Sequence, residues 1–141
     1  MAQCLLNKRF VARAEELKGL RDELRATISG KILLPLDAER FILAVNEACM
    51  NVIQHAYKED ANGDIVVKVY DHEVDVEVQI TDFAPPIDPA KIRPRDLQEV
   101  RPGGLGTHFM QELMDDVHYL PYDSSAGNCL VMKKYKDKGK R

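Results

Sequence analysis

Apolar residues recur at helical spacing in two early segments, and each segment predicts a helix. The first ends at Gly30 and carries Leu17, Leu20, Leu24 and Ile28. The second runs from Ala38 to about Lys58, with Asp37 as its predicted N-cap and Asn62-Gly63 as the break after it. Its apolar stripe consists of Phe41, Val45, Ala48, Val52 and Ala56.

Alternation of apolar and polar residues predicts the strands. For residues 4–11 the pattern predicts a first strand only weakly. A hairpin follows, with a turn at Asp71-His72 between two runs made of Ile65, Val67 and Val69, and of Val74, Val76, Val78 and Ile80. Two closing strands are predicted near Val117–Tyr122 and Asn128–Tyr135, on either side of a turn around residues 124–127.

A long loop and a last helix separate the hairpin from the closing strands. Five of the seven prolines lie between Pro85 and Pro102, which favours a lid or binding segment over a simple connection. Gly103-Gly104-Leu105-Gly106 opens the helix, whose predicted core stripe is Leu105, Phe109, Leu113 and Val117.

Composition narrows the class of protein. With 141 residues, the chain has the size of one domain, which we place at residues 1–136, followed by a basic tail at 137–141. A net charge of −3 argues against direct nucleic-acid binding, and the basic run from Lys133 to Arg141 is interpreted as a solvated terminus. Three widely spaced cysteines, with no long apolar run, predict a cytoplasmic protein that does not enter the membrane.

A polar row on the long helix is the first candidate site. Glu47, Asn51 and His55 are spaced at i, i+4 and i+8 and so share one side of a regular helix, drifting about 40° per step. The row is either a solvated stripe or a ligand-binding surface on a mostly apolar helix.

Asp82 is the second candidate. It keeps the parity of the core-facing residues of its strand, so a carboxylate is expected on the buried face. Such a group needs donors, which a structural neighbour or a ligand amine such as that of adenine can supply.

The glycine run is the third candidate. Gly103, Gly104 and Gly106, with Thr107 and His108 in the first turn, fit an anion site at a helix N-terminus, although a plain helix start is the commoner explanation. No Gly-Lys-Ser/Thr follows, so the run is not a Walker A sequence.

In combination, these motifs resemble the GHKL ATP-binding fold of histidine kinases and type II topoisomerases, and more closely the anti-sigma-factor serine/threonine kinases of bacterial partner-switching systems. The segment from Glu47 to Tyr57 is similar to the N box of that family. Residues 82–89 and 103–108 resemble its two glycine boxes, and residues 113–117 and 127–133 its last helix and closing strand.

The resemblance implies a fold and a set of roles. The fold is an α+β two-layer sandwich, with a mixed, largely antiparallel sheet and helices on one face. Glu47 would be the general base, Asn51 the Mg²⁺ ligand, and His55 a polar contact near the nucleotide, while Asp82 would accept from the adenine amine and Arg101 would meet the terminal phosphate. Further implied nucleotide contacts are Pro86, Ile87, Gly104, Leu105, Gly106, Thr107 and His108, with residues 87–101 as a lid.

Three positions depart from the family pattern. Ala84 and Pro86 stand where the first glycine box has glycines, and Asn128-Cys129 stands where relatives often place a threonine near the adenine. These changes bear on nucleotide affinity more than on the fold.

The function expected from the resemblance is an ATP- and Mg²⁺-dependent protein kinase that is also an anti-sigma factor. Its partners would be a STAS-type antagonist, a sigma factor and a second copy of itself. The alternative is a nucleotide-responsive binding module without transfer activity. A histidine kinase is disfavoured, because the stretch before Glu47 is short for a dimerising phosphoacceptor hairpin.

Overall fold

An antiparallel sheet of five strands forms one layer of the fold. The structure is a computed structural model that describes residues 2–57, 63–84, 106–120 and 127–136. Its strands are β1 (Gln3–Val11), β2 (Asp64–Asp71), β3 (Asp75–Asp82), β4 (Asp116–Tyr119) and β5 (Asn128–Tyr135), in the spatial order β1-β2-β3-β5-β4. The predicted α+β class is confirmed, but every described strand pair is antiparallel, so the sheet is not mixed.

The second layer contains α1 (Leu17–Ile28), α2 (Pro35–Asn51) and α3 (Gly106–Leu113). Helix α2 begins earlier than predicted: Leu34 is its N-cap, and Asp37 lies inside the first turn. The reason is Pro35, whose fixed φ suits the first helical position, while the Asp37 carboxylate remains favourable near the positive end of the helix dipole. Helix α1 ends as predicted before Gly30, which has a φ of +73°.

Helix α2 does not continue regularly to Lys58. A π-helical turn from Val52 to Ala56 follows it, and the Tyr57 amide donates to the Val52 carbonyl at 2.9 Å. Residues 58–62 lie outside the described ranges, as do the predicted lid and the tail at 137–141. Single π turns inside helices occur frequently at functional sites.

The core lies between the two layers and is built from the predicted stripes. All four apolar residues of the α1 stripe are buried, as are Phe41, Val45 and Ala48 of α2 and the alternate residues Ile65, Val67 and Val69 of β2. Two residues were assigned wrongly. Val74 lies in the β2–β3 turn and is 60% exposed, and Val117 belongs to β4 and not to the helix. The buried residues of this region are Met110 of α3 and Met114, which directly follows the helix.

The start of the basic run is part of the fold and is not a solvated terminus. Lys134 belongs to β5 and is buried, and its Nζ donates to the Leu113 carbonyl at 2.6 Å. This carbonyl lies at the C-terminal end of α3, where a positive charge is favourable because of the helix dipole. Lys136 pairs with Asp71 of β2.

The three cysteines are free thiols in different surroundings. Cys4 is exposed, Cys129 is half-buried, and burial raises the pKa of the Cys49 thiol to about 12. Cys49 therefore acts as a small apolar core residue of α2. Within the described ranges, no helix combines the length and the apolar character needed to cross a bilayer.

Substitution of Gly127 tests the close approach of this residue to the backbone at the end of β3. Gly127 has a φ of +75°, and a Cβ atom there would overlap the Asp82 carbonyl oxygen. Gly30 is a matched control, since its φ is +73° but its Cβ would meet nothing within 4 Å. Gly30→Ala should lower the free energy of unfolding by about 1–2 kcal/mol, and Gly127→Ala by clearly more, as measured by urea denaturation. If both variants lose the same free energy of unfolding, the backbone at Gly127 can move away from the Asp82 carbonyl without cost.

Candidate functional site

The Asp82 carboxylate lies in the interior, at the end of β3. The residue is 4% exposed and pairs with Ile65 on one side and with Asn128 on the other. The predicted core-facing parity of Asp82 is therefore correct. A carboxylate in this position loses most of its hydration, which must be replaced by donors.

Two donors from the protein reach this carboxylate, and both bind the same oxygen. The Asn128 side-chain amide donates to Asp82 Oδ1 at 3.0 Å, and the Ala84 backbone amide donates to it at 3.1 Å. No donor from the described residues binds Oδ2. The carboxylate thus has structural partners, one of the two alternatives considered from sequence, and keeps one oxygen able to accept from a ligand N–H group.

Burial also changes the acidity of this group. Loss of hydration raises the pKa of the Asp82 carboxyl group above its ordinary value of 3.8, while the hydrogen bonds from Asn128 and Ala84 oppose that rise. A ligand N–H group bound to Oδ2 would stabilise the ionised form further, because a hydrogen bond to the charged form favours it.

Gly127, directly before β5, brings Asn128 to this carboxylate. Gly127 passes directly over the Asp82–Phe83 peptide, at a distance that leaves no space for a side chain. Its positive φ directs the chain into β5, so that Asn128 begins the strand opposite Asp82. Only glycine satisfies both requirements at low cost.

The sequence alone shows Asn128 as a departure from the family pattern and does not identify it as the partner of Asp82. The signal was present in the alternation of β5, where Asn128 shares its parity with Leu130, Met132 and Lys134. All four are buried. A polar residue with core parity at the start of β5 is the counterpart of Asp82 at the end of β3, and the antiparallel register places the two together.

Helix α2, which carries Glu47 and Asn51, packs against both β3 and α3. Both side chains are half-buried. Within the described ranges, no hydrogen bond or ion pair engages the Glu47 carboxylate or the Asn51 amide. The neighbouring Asn46 accepts from Arg21 of α1 at 2.7 Å, which fixes the rotation of α2.

His55 lies in the π turn, so the regular-helix spacing used to place it relative to Asn51 does not apply. The π turn closes over five residues, as the Tyr57-to-Val52 bond shows, and the drift of about 40° per step applies only to a regular α-helix. Glu47 and Asn51, which both belong to α2, keep the predicted spacing. His55 is half-buried.

The glycine run is only partly within the described residues. Helix α3 begins at Gly106, and the backbone of Thr107 and His108 forms its first turn. This agrees with the predicted helix opening. The other predicted site residues, Arg101, Pro86, Ile87, Gly104 and Leu105, lie outside the described ranges.

Comparison with known proteins agrees with this geometry. The model of the histidine kinase-like ATPase domain family matches residues 10–134. The chain is 34% identical to the serine-protein kinase RsbW of Bacillus subtilis strain 168, over 70% of this chain and 65% of that protein. It is 32% identical to the serine-protein kinase RsbW of Bacillus cereus strain AH187, over 70% of this chain and 64% of that protein.

The chain thus spans slightly less than two thirds of the length of these relatives. The family model, in contrast, covers most of the chain, from the end of β1 to β5. It includes Glu47, Asn51, Asp82 and the start of α3. The chain belongs to the histidine kinase-like ATPase domain family.

Proposed function

We propose that the protein is an ATP- and Mg²⁺-dependent serine/threonine kinase that also acts as an anti-sigma factor. The observation that carries the proposal is the buried Asp82 carboxylate, in which Oδ1 holds both donors and Oδ2 has none from the described residues. An adenine amino group supplies the missing donor. The residue is 4% exposed, yet Oδ2 is not fully enclosed by the described residues, so a ligand N–H group can reach it.

The phosphates would lie at the start of α3. Its first backbone amides have no partner within the helix and carry the positive end of the helix dipole, so they attract anions. Gly106 has no side chain to obstruct the approach. Helix α3 packs against α2, which supports a position of this end of the nucleotide near the helix that carries Glu47 and Asn51.

Glu47 and Asn51 would act on the phosphate end. An amide oxygen is a hard ligand that suits Mg²⁺, which usually takes one or two protein oxygens together with phosphate oxygens and water. The Glu47 carboxylate, which no described residue engages in a hydrogen bond or ion pair, is able to accept the proton of a serine or threonine hydroxyl group. When bound, Mg²⁺ would offset the charge that develops on the transferred phosphoryl group.

The substrate and partners follow from the similarity to the serine-protein kinases. We propose a STAS-type antagonist as the phosphoacceptor, with a sigma factor as the competing partner, no direct contact with nucleic acid, and a homodimer as the active form. The three free thiols fit the reducing cytoplasm.

A nucleotide-responsive binding module is the second candidate, and the donors at Asp82 are compatible with it, because they concern nucleotide binding and not phosphate transfer. The Ala84 side chain is buried, and its amide donates to Asp82, so this departure from the first glycine box leaves the carboxylate in place. Incubation of the protein with γ-labelled ATP and an antagonist from the same organism separates the two functions. Label on a serine or threonine of the antagonist supports the kinase, and nucleotide binding without transfer supports the module.

Asp82→Asn should weaken ATP binding without weakening the fold. The raised pKa means that the folded protein binds this proton more tightly than the unfolded chain, so the free energy of unfolding falls as pH rises from about 3.8 through the raised value, and the loss persists at neutral pH. The neutral side-chain amide of the variant does not carry the cost of a buried negative charge. Its oxygen can still accept from Asn128 and Ala84. We expect an unchanged or higher melting temperature at pH 7, with ATP affinity reduced at least about tenfold by calorimetry.

Asp75→Asn is the control, because it removes a second buried carboxylate at the other end of β3. ATP affinity should be unchanged in this variant. Equal ATP affinity in wild type and Asp82→Asn would exclude Asp82 from the nucleotide site.

Asn51→Ala should remove the effect of Mg²⁺ on ATP binding. Wild type should bind ATP more tightly with Mg²⁺ than with EDTA, because Asn51 would hold an ion that offsets the phosphate charge. The variant should bind ATP equally under the two conditions, at the affinity of wild type in EDTA. Gln54→Ala removes an exposed amide from the adjoining π turn and should keep the Mg²⁺ effect. A variant at Asn51 that responds to Mg²⁺ like wild type contradicts the ligand role.

Glu47→Gln should abolish phosphate transfer and leave binding intact. The substitution keeps the shape of the side chain and removes the group that accepts the hydroxyl proton, an effect of roughly 10²- to 10⁴-fold in rate. Single-turnover transfer to the antagonist measures it, with Glu73→Gln in the exposed β2–β3 turn as the control. Wild-type transfer by Glu47→Gln, or a joint loss of ATP binding, partner binding and thermal stability, would contradict the general-base role.

A further inference from the structure

The Tyr57 hydroxyl group connects the π turn to the strand end that carries Asp82. It donates to the Asp64 carbonyl at 2.7 Å and accepts from the Phe83 amide at 2.7 Å. Asp64 begins β2, and Phe83 directly follows Asp82 at the end of β3. One hydroxyl group therefore fixes three segments of backbone relative to one another.

The π turn and Gly63 place the Tyr57 ring for this contact. Tyr57 follows the turn directly, and its amide closes the five-residue bond to Val52, so the direction of the side chain depends on the π geometry. The ring packs over Gly63, where any Cβ atom would overlap it. Partial burial, together with the Asp82 charge, raises the pKa of Tyr57, so the hydroxyl group stays protonated and able to donate at neutral pH.

A second set of contacts supports the same strand end from outside. Arg9 of β1 pairs with the Asp64 carboxylate at 2.8 Å, and its guanidinium group lies over the Phe83 ring, 4.9 Å from the centroid. Phe83 is half-exposed, so its position is not fixed by the core. The backbone after Asp82 is held by Tyr57 at Phe83 and by the Asp82 side chain at Ala84.

We infer that Tyr57 is a positioning residue that holds the Asp82 carboxylate in a fixed orientation and thereby sets a preference for a 6-amino purine over a 6-oxo purine. The inference rests on the proposed nucleotide site. Loss of the hydroxyl group releases the Phe83 amide, and Ala84, whose amide helps to orient Asp82 Oδ1, is the next residue in the chain.

The discrimination follows from the hydrogen-bond pattern of the two bases. A carboxylate oxygen fixed opposite position 6 meets an amino hydrogen in adenine and a carbonyl oxygen in hypoxanthine, so it attracts the first and repels the second. A carboxylate that can turn has an alternative in hypoxanthine, because its N1 carries a hydrogen. A loosened Asp82 should therefore lose ATP affinity and gain tolerance for inosine triphosphate.

The test compares ATP and inosine triphosphate binding to the full chain by calorimetry, well below the melting temperature. The ratio of interest is the dissociation constant for inosine triphosphate divided by that for ATP. In Tyr57→Phe, we expect this ratio to fall about tenfold, which corresponds to the loss of one well-formed hydrogen bond to the preferred base. Tyr70→Phe removes the same atom from β2 at the opposite end of the sheet, and this control should keep the wild-type ratio.

A merely structural role for Tyr57 predicts a different result. Tyr57→Phe would then lower the melting temperature and leave the ratio unchanged, which overturns the inference. Gly63→Ala displaces the ring while keeping the hydroxyl group, and it should narrow the ratio if Tyr57→Phe does not fold. A wild-type ratio in a folded Gly63→Ala variant counts against the inference.

A double-mutant cycle identifies the residue through which Tyr57 acts. The double variant Tyr57→Phe, Asp82→Asn should have the same ratio of dissociation constants as the Asp82→Asn variant. A further narrowing in the double variant would show that Tyr57 acts independently of Asp82 and would overturn the inference. Wild-type protein that binds neither nucleotide removes the proposed function, and this inference with it, whereas ATP binding with an unchanged ratio in Tyr57→Phe removes the inference only.

Discussion

The burial of one carboxylate is the constraint on which the organisation of the site depends. Asp82 is costly in the interior unless donors replace its lost hydration, and the protein supplies two of them. One comes from the next turn of the same chain, at Ala84, and the other from Asn128 across the β3–β5 pair. Gly127 makes the second possible, because only a residue without a side chain can pass so close to the Asp82 carbonyl. The site therefore depends on a strand register as much as on a side chain.

Among the described residues this compensation is incomplete, because Oδ2 of Asp82 has no donor. Both donors bind Oδ1, and desolvation still raises the pKa of the group. A structure selected only for stability would have an amide or an apolar residue here, as the usual opposition between stability and function predicts. The same reasoning applies to Glu47 and Asn51, half-buried on a helix whose other face is filled by residues such as Val45 and Cys49.

The π turn links these two halves of the site. An unbroken helix would carry Tyr57 in another direction, away from the bridge between Asp64 and Phe83. The π turn thus decides where the helix ends relative to the sheet, and it does so between Asn51 and Tyr57, within the segment that resembles the N box. Local irregularity in an otherwise regular helix is costly, which agrees with a functional reason for keeping it.

Most of the fold was determined by the sequence, because periodicity reports which face of each element is buried. The stripes of α1 and α2, the β2–β3 hairpin and the parity of Asp82 all follow from local spacing. The tertiary structure decided what local spacing does not contain: the β3–β5 register that pairs Asp82 with Asn128, the burial of Lys134 against the end of α3, and the π turn between Asn51 and Tyr57. Each depends on groups that are distant in the chain or on a helical register that composition does not encode. The sequence thus determined which side chains face inward, and only the packed structure decided which polar groups meet there, because hydrogen-bond partners are chosen by register and not by period.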